Sequence, residues 1–132
     1  MKNLSIVIPV YNENETCELF VDILEATVKT PHEIIIIYDS HEDTTIPSIK
    51  NLQKKYNNVS SIHNDKGKGA VYAFKKGLKV ADSEIILLSN IDLFPLIRLR
   101  ILVDNTWLNS TPNLSISFKI FLKSSFFIFK II

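Results

Sequence analysis

The stretch Glu33-Ile34-Ile35-Ile36-Ile37-Tyr38-Asp39-Ser40-His41-Glu42-Asp43-Thr44-Thr45 runs a block of isoleucines directly into a cluster of acids. An unbroken β-branched run without polar alternation is the pattern of a parallel strand covered on both faces, because neither face meets water. Such a strand delivers Asp39 and Asp43 to its carboxyl end, and open α/β sheets bind ligands in the crevice beyond those ends. Asp43 also reads as a helix N-cap, a position that Asp favours. Asp39 has no such local duty, which points to a function for it.

On the amino-terminal side, Leu4 to Val10 reads as a first buried strand closed by Pro9. Asn12 and Glu15 resemble a capping box. The helix they would open places Leu19, Phe20, Ile23, Leu24 and Thr27 on one face, leaves Glu18, Asp22 and Glu25 to water, and ends before Pro31. On the carboxyl side, Ile46, Ile49, Leu52 and Tyr56 recur at helical spacing, with Pro47 tolerable in the first turn. Asn58 to His63 is a weaker third strand. The loop Asn64 to Gly69 carries two of the chain's three glycines. A helix from Ala70 to about Val80 turns Val71, Phe74 and Leu78 inward, and Glu84 to Ser89 is a fourth apolar strand that empties into Asn90-Ile91-Asp92. The order β-α-β-α-β-α-β, with short connections and right-handed crossovers, implies an α/β fold: a Rossmann-like parallel sheet with helices on both faces.

A chain of 132 residues, 46% hydrophobic, fits one globular domain with a single core. That domain is expected over 1–95, with 96–132 an unassigned apolar tail rather than an independent domain. The net charge of +1 supplies no basic field, which argues against nucleic acid as a partner. A single cysteine, Cys17, excludes an internal disulfide framework. The histidines, His32, His41 and His63, read as too scattered for a metal set. The amino terminus lacks the apolar core and cleavage site of a signal peptide, so a cytoplasmic location is expected, with peripheral membrane association as a further option. From Leu114 onward the composition narrows to Phe, Ile, Leu, Lys and Ser. Lys119, Lys123 and Lys130 oppose a membrane span, since each lysine near a helix centre costs about 2.5 to 3.5 kcal/mol. The expectation is a loosely held tail, of the kind a truncated or frame-altered gene encodes, with no place in the sheet.

The strand ends bring together Pro9-Val10-Tyr11-Asn12-Glu13, Asp39 to Asp43, Gly67-Lys68-Gly69 and Asn90-Ile91-Asp92. A Rossmann glycine fingerprint and a P-loop are both missing. What is left is a site that grips a base and ribose through carboxylates and amides, and a diphosphate through a divalent cation. Mg²⁺ or Mn²⁺ suits that task, because hard cations share oxygen ligands between carboxylates and phosphate.

As an ordered set these segments resemble the family 2 glycosyltransferases of the A-type fold, including the dolichyl-phosphate mannosyltransferase-like branch. Ser5-Ile6-Val7-Ile8-Pro9-Val10-Tyr11-Asn12-Glu13 is similar to the family's opening strand and nucleotide turn. Tyr38 to Thr45 is similar to its Asp-Asp-Gly-Ser-x-Asp-x-Thr segment, with Tyr38 in place of the first acid. Gly67-Lys68-Gly69-Ala70 through Gly77-Leu78 is similar to the loop and helix before the metal motif, and Ser89-Asn90-Ile91-Asp92-Leu93 occupies the place of Asp-x-Asp, with Asn90 where the first Asp is usual. The resemblance covers roughly residues 3–94. It implies that Pro9, Tyr11 and Glu13 frame the nucleotide, with Lys68 beside them, that Asp39 accepts hydrogen bonds from the base, and that Asp92 holds the metal with help from the Asn90 carbonyl oxygen.

The implied function is transfer of a sugar from a nucleotide-diphosphate-sugar donor to an acceptor left open between a polyprenyl phosphate and a surface glycan. Nothing after Leu93 resembles the family's acceptor half, so the alternative is a non-catalytic α/β remnant or interaction module. Each residue also has a plainer reading. Glu13 complements a helix dipole, Lys68 is a solvated loop lysine, Tyr11 packs at the rim, and Cys17 is inert.

Overall fold

The computed structural model describes residues 2–91 and 126–130. The elements in chain order are β1 (Leu4–Val10), α1 (Asn14–Thr27), β2 (His32–Tyr38), α2 (Ile46–Lys55), β3 (Val59–His63), α3 (Ala70–Val80), β4 (Ile85–Ser89) and β5 (Phe126–Lys130). They build a five-stranded sheet of order β3-β2-β1-β4-β5. The first four strands run parallel, as their patterning requires.

The isoleucine block divides between two cores. Ile34 and Ile36 join Ile6, Ile8 and Val10 under α1 and α2, whereas Ile35 and Ile37 join Val7, Ile86 and Leu88 under α3. Successive strand residues point to opposite faces, so in the middle of a strand sandwiched between helix layers both faces meet apolar neighbours. Gly77 lets α3 approach β1: a Cβ at that position would fall inside the Val7 side chain.

Two helix faces differ from the sequence expectation. In α1 the buried stripe is Cys17, Phe20, Val21 and Leu24, spaced i, i+3, i+4 and i+7, while Leu19 is exposed and Ile23 only partly covered. In α3 the buried positions are Ala73 and Gly77, flanked by half-buried Phe74 and Leu78, and Val71 faces solvent. Small residues occupy the point of closest approach, which an apolar count weighted towards large side chains passes over.

The amino-terminal edge of the sheet is pinned by Glu33, which stands opposite Ser5 in the β1–β2 register. Its carboxylate accepts Ser5 Oγ–H and Lys2 Nζ–H, both at 2.6 Å, and the Asp82 N–H at 3.4 Å. Burial alone would raise this carboxyl, but these donors and the Lys2 charge outweigh it and hold the group below the ordinary glutamate value.

Phe126–Lys130 lies antiparallel to β4, with Leu87 opposite Ile128. This corrects the expectation that the tail has no place in the sheet. The three helices among the described residues cover the faces but leave the β4 edge open, and a strand pairs through its edge. Among the described residues no helix is long and apolar enough to cross a membrane.

Candidate functional site

The chain enters the sheet at β1 and works outward to β3, then crosses the opposite face through α3 to add β4 on the other side of β1. The strand order therefore reverses between β1 and β4, the kind of switch point at which open α/β sheets bind ligands. A crevice of about 750 Å³ opens at this point, walled by Pro9 to Glu13, by Asp39, Ser40, Glu42 and Asp43, by Lys68 to Ala70 and by Asn90.

The loop after β1 turns through Asn12 and Asn14, both at positive φ (55° and 34°), a region Asn tolerates better than most residues. The expected capping box does not form. Glu13 occupies the cap position without a side-chain bond, and the Asn12 carboxamide oxygen instead accepts the Thr44 N–H at 3.2 Å. In return the Asn12 N–H donates to Asp43 Oδ1 at 3.0 Å and the Glu13 N–H to Thr45 Oγ1 at 2.8 Å. Asp43 Oδ1 also accepts the Thr45 N–H at 2.8 Å, so Asp43 both organises the entry to α2 and ties it to the loop after β1. Its Oδ2 is buried without a hydrogen-bond partner among the described residues.

Asp39 has a structural duty that the sequence did not reveal. Its Oδ1 accepts Asn64 Nδ2–H at 2.8 Å and its Oδ2 the Gly69 N–H at 2.6 Å. Gly69 adopts φ 99°, which a side chain would strain, so the close approach of its N–H to the carboxylate depends on glycine. Asn64 is buried and belongs to this site too; in the sequence it is one polar residue of the Asn64 to Gly69 loop, and its place ahead of two glycines is the one sign that it anchors a turn.

Of the residues expected at the site, Pro9, Tyr11, Glu13, Asp39, Lys68 and Asn90 line one crevice. Asp92 lies outside the described residues. Tyr11 stands 69% exposed at the rim. Lys68 is exposed and makes no ion pair among the described residues, and Asn90 is exposed at the end of β4. Among the described residues the crevice lining is acidic, with Glu13, Asp39, Glu42 and Asp43 against Lys68.

Cys17, fully buried in α1, is no nucleophile. Desolvation, with the charges of Glu13, Glu18 and Asp43 behind it, pushes its thiol up to about 12. The His41 and His63 rings stack at 4.1 Å, with Tyr38 edge-on to His41 and tilted against His63. No group of three or more metal-ligating side chains forms among the described residues.

The profile of the family described as Glycosyl transferase family 2 matches residues 5–126. The chain is 32% identical over 99 residues to a dolichyl N-acetyl-α-D-glucosaminyl phosphate 3-β-D-2,3-diacetamido-2,3-dideoxy-β-D-glucuronosyltransferase of Methanococcus voltae, covering 72% of this chain and 30% of the relative. It is 34% identical over 91 residues to a dolichol-phosphate mannosyltransferase of Pyrococcus furiosus, covering 68% of this chain and 26% of that one. The chain thus spans under a third of the length of either curated relative. In fold it is similar to a mannosyltransferase from Pyrobaculum calidifontis solved with GDP-Man and Mn²⁺, at 17% identity and a TM-score of 0.62 over 79% of this chain and 33% of that one. With its parallel sheet, its switch-point crevice and the matched profile, this chain belongs to glycosyl transferase family 2.

Proposed function

We propose that the crevice binds a nucleotide-diphosphate-sugar donor and that the protein serves sugar transfer from that donor. The observation that carries this reading is the convergence of Pro9, Tyr11, Glu13, Asp39, Lys68 and Asn90 on one crevice at the switch point between β1 and β4. In this reading Pro9, Tyr11 and Glu13 frame the nucleotide. Asp39, already receiving two N–H groups, still has lone pairs to accept from a base.

The acidity of the crevice bears on the cofactor. Among the described residues four acidic side chains and Lys68 line the crevice, so a diphosphate there is repelled unless a cation stands between them. The available donors are oxygens, which fits Mg²⁺ or Mn²⁺, and we assign Asn90 and Asp92 to hold it. When bound, such an ion supplies charge neutralisation to the departing diphosphate. The Pyrobaculum mannosyltransferase, solved with GDP-Man and Mn²⁺, supports both the donor class and the metal. Two of the curated relatives carry a dolichyl or dolichol phosphate in their names, and a third, 33% identical over 92 residues, is named a poly(ribitol-phosphate) β-glucosyltransferase, so a polyprenyl phosphate and a surface glycan both stay open as acceptor.

Isothermal calorimetry with uridine and guanosine diphosphates, with and without Mn²⁺ or Mg²⁺, tests the proposal. One of these nucleotides binds, more tightly with metal than without. A folded protein that binds none of them in either condition overturns it.

A further inference from the structure

Asn64 is nearly sealed from solvent at 3% exposure and follows the last residue of β3. Its backbone N–H extends the ladder by donating to the Tyr38 carbonyl at 2.8 Å. Its side-chain amide has two hydrogens, and both are used: one meets Asp39 Oδ1 at 2.8 Å, the other the Gly67 carbonyl at 2.6 Å. The amide oxygen accepts the Lys66 N–H at 3.4 Å. Two acceptors on one side and a donor on the other fix which way the amide faces. The carboxylate that borders the crevice and the glycine turn that forms its wall thus meet at one buried side chain. Asp39 completes the ring by accepting the Gly69 N–H.

We propose that Asn64 is a positioning residue for the nucleotide: it aims the Asp39 carboxylate into the crevice and holds the Gly67–Gly69 turn at the distance the base requires. This rests on the reading of the crevice as a nucleotide site and adds to it the residue that sets recognition of the base. A free aspartate rotates about its side-chain torsions, and fixing those rotamers before the ligand arrives removes an entropy cost from binding. Asn64 fixes them without touching the ligand. The amide is specific in this role, because a carboxylate of the same shape presents acceptors to the Asp39 carboxylate and the Gly67 carbonyl, repelling both.

The base and diphosphate contributions separate experimentally with two probes, a nucleoside diphosphate and inorganic pyrophosphate, each with Mn²⁺. For Asn64→Asp and Asn64→Ala we expect affinity for the nucleoside diphosphate to fall at least tenfold, with affinity for pyrophosphate within twofold of wild type. Lowering the pH puts a proton between the paired carboxyl groups of Asn64→Asp and recovers part of its loss relative to wild type, while Asn64→Ala shows no such recovery. Folded variants that keep nucleotide affinity, or that lose pyrophosphate in the same proportion, overturn the inference.

Should the variants fail to fold, the wild-type chain carries the test by NMR. The Asn64 side-chain NH₂ resonances shift on titration with the nucleoside diphosphate and not with pyrophosphate, and equal shifts with both probes, or none with either, overturn it. A wild-type chain that binds no nucleoside diphosphate removes the parent reading and this inference together. If wild type binds and Asp39→Ala weakens it while the Asn64 variants do not, only the inference falls.

Discussion

Asn12 and Asp43 hold the ends of the first two strands together through neighbouring bonds in opposite directions. The Asn12 N–H donates to Asp43 Oδ1 at 3.0 Å, and the Asn12 carboxamide oxygen receives the N–H of Thr44, the next residue, at 3.2 Å. Because Asp43 Oδ1 also accepts the Thr45 N–H, one oxygen organises two loops. Asp43→Ala should therefore cost about 1.5 to 3 kcal/mol of stability, the range for losing hydrogen bonds to a charged group. Asp43→Asn keeps an acceptor for both N–H groups and removes charge from Oδ2, which has no partner among the described residues, so it should cost less. Urea unfolding of the two variants checks this order, and an equal loss from both would mean that the charge and not the acceptor holds the loops.

Asp39 and Asp92 are assigned different tasks, one towards the base and one towards the metal. Asp39→Ala should raise the dissociation constant for a nucleoside diphosphate at least tenfold with or without metal, since a lost charged hydrogen bond is worth about 1.5 to 3 kcal/mol. Asp92→Ala should remove only the metal-dependent part. Calorimetric titrations of both variants, with and without Mn²⁺, are the measurement. Parallel losses with unchanged metal dependence would show that division of roles to be wrong.

The strands and helices were legible because burial on both faces leaves a plain signature, the unbroken runs of Ile34 to Ile37 and Ile85 to Leu88. Strand ends in an α/β sheet gather by topology, so Pro9, Tyr11, Glu13, Asp39, Lys68 and Asn90 were also legible as neighbours. What stayed hidden is the wiring between them. Asn64 bonds to Asp39 across 25 positions and Asn12 to Thr44 across 32, and no local spacing encodes such partners. The same holds for the stacking of His41 on His63, which depends on the β2–β3 register and the path of the loop after β2. Asp39 misled in the other direction. It looked free of structural duty because both of its donors come from the loop before α3.

Gly77 carries opposite signals from helix propensity and packing. Alanine is the better helix former by about 1 kcal/mol, but its Cβ would overlap the Val7 side chain on a central strand that cannot retreat. Overpacking costs about 1 to 3 kcal/mol, so Gly77→Ala should be destabilising on balance. Combining it with Val7→Ala should give less than the sum of the two losses, since the second change vacates the space that the first one needs. Thermal melts of the two single variants and the double variant decide; strict additivity would show that the helix shifts away from the sheet instead.

Glu33 predicts the acid limb of stability. Its folded carboxyl lies below the ordinary value of 4.5 despite burial, held there by the hydrogen bonds from Lys2, Ser5 and the Asp82 N–H. Between the folded and the ordinary value the unfolded chain binds more protons, so stability rises with pH through that window. The contribution is complete above the ordinary value and is lost as pH falls through the folded one. Lys2 works the other way. Its raised ammonium value, set first by the bond to Glu33, contributes stability below 10.5 that is lost as pH rises past the folded value. Glu33→Gln should lower stability by about 1 to 3 kcal/mol at neutral pH. The gap to wild type should narrow below pH 4.5. A gap that stays constant on acidification would assign the effect to packing.

The antiparallel pairing of β5 on β4 makes a prediction opposite to the one its composition suggests. A Phe- and Ile-rich segment with interspersed lysines reads as a loose, aggregation-prone tail whose removal should help the protein. Paired along the whole of Ile85 to Ser89, however, Phe126–Lys130 covers an edge that would otherwise offer a row of unsatisfied N–H and C=O groups next to the core strand β1. Deleting residues 126–132 should therefore lower the melting temperature and promote self-association through the bared β4 edge. Ile128→Pro, opposite Leu87 in the ladder, should act in the same direction while changing the composition by one residue. Thermal unfolding and sedimentation velocity measure the two effects. If both variants melt where wild type does and sediment as monomers, β5 contributes nothing to the sheet and the segment is the loosely held tail that its composition describes.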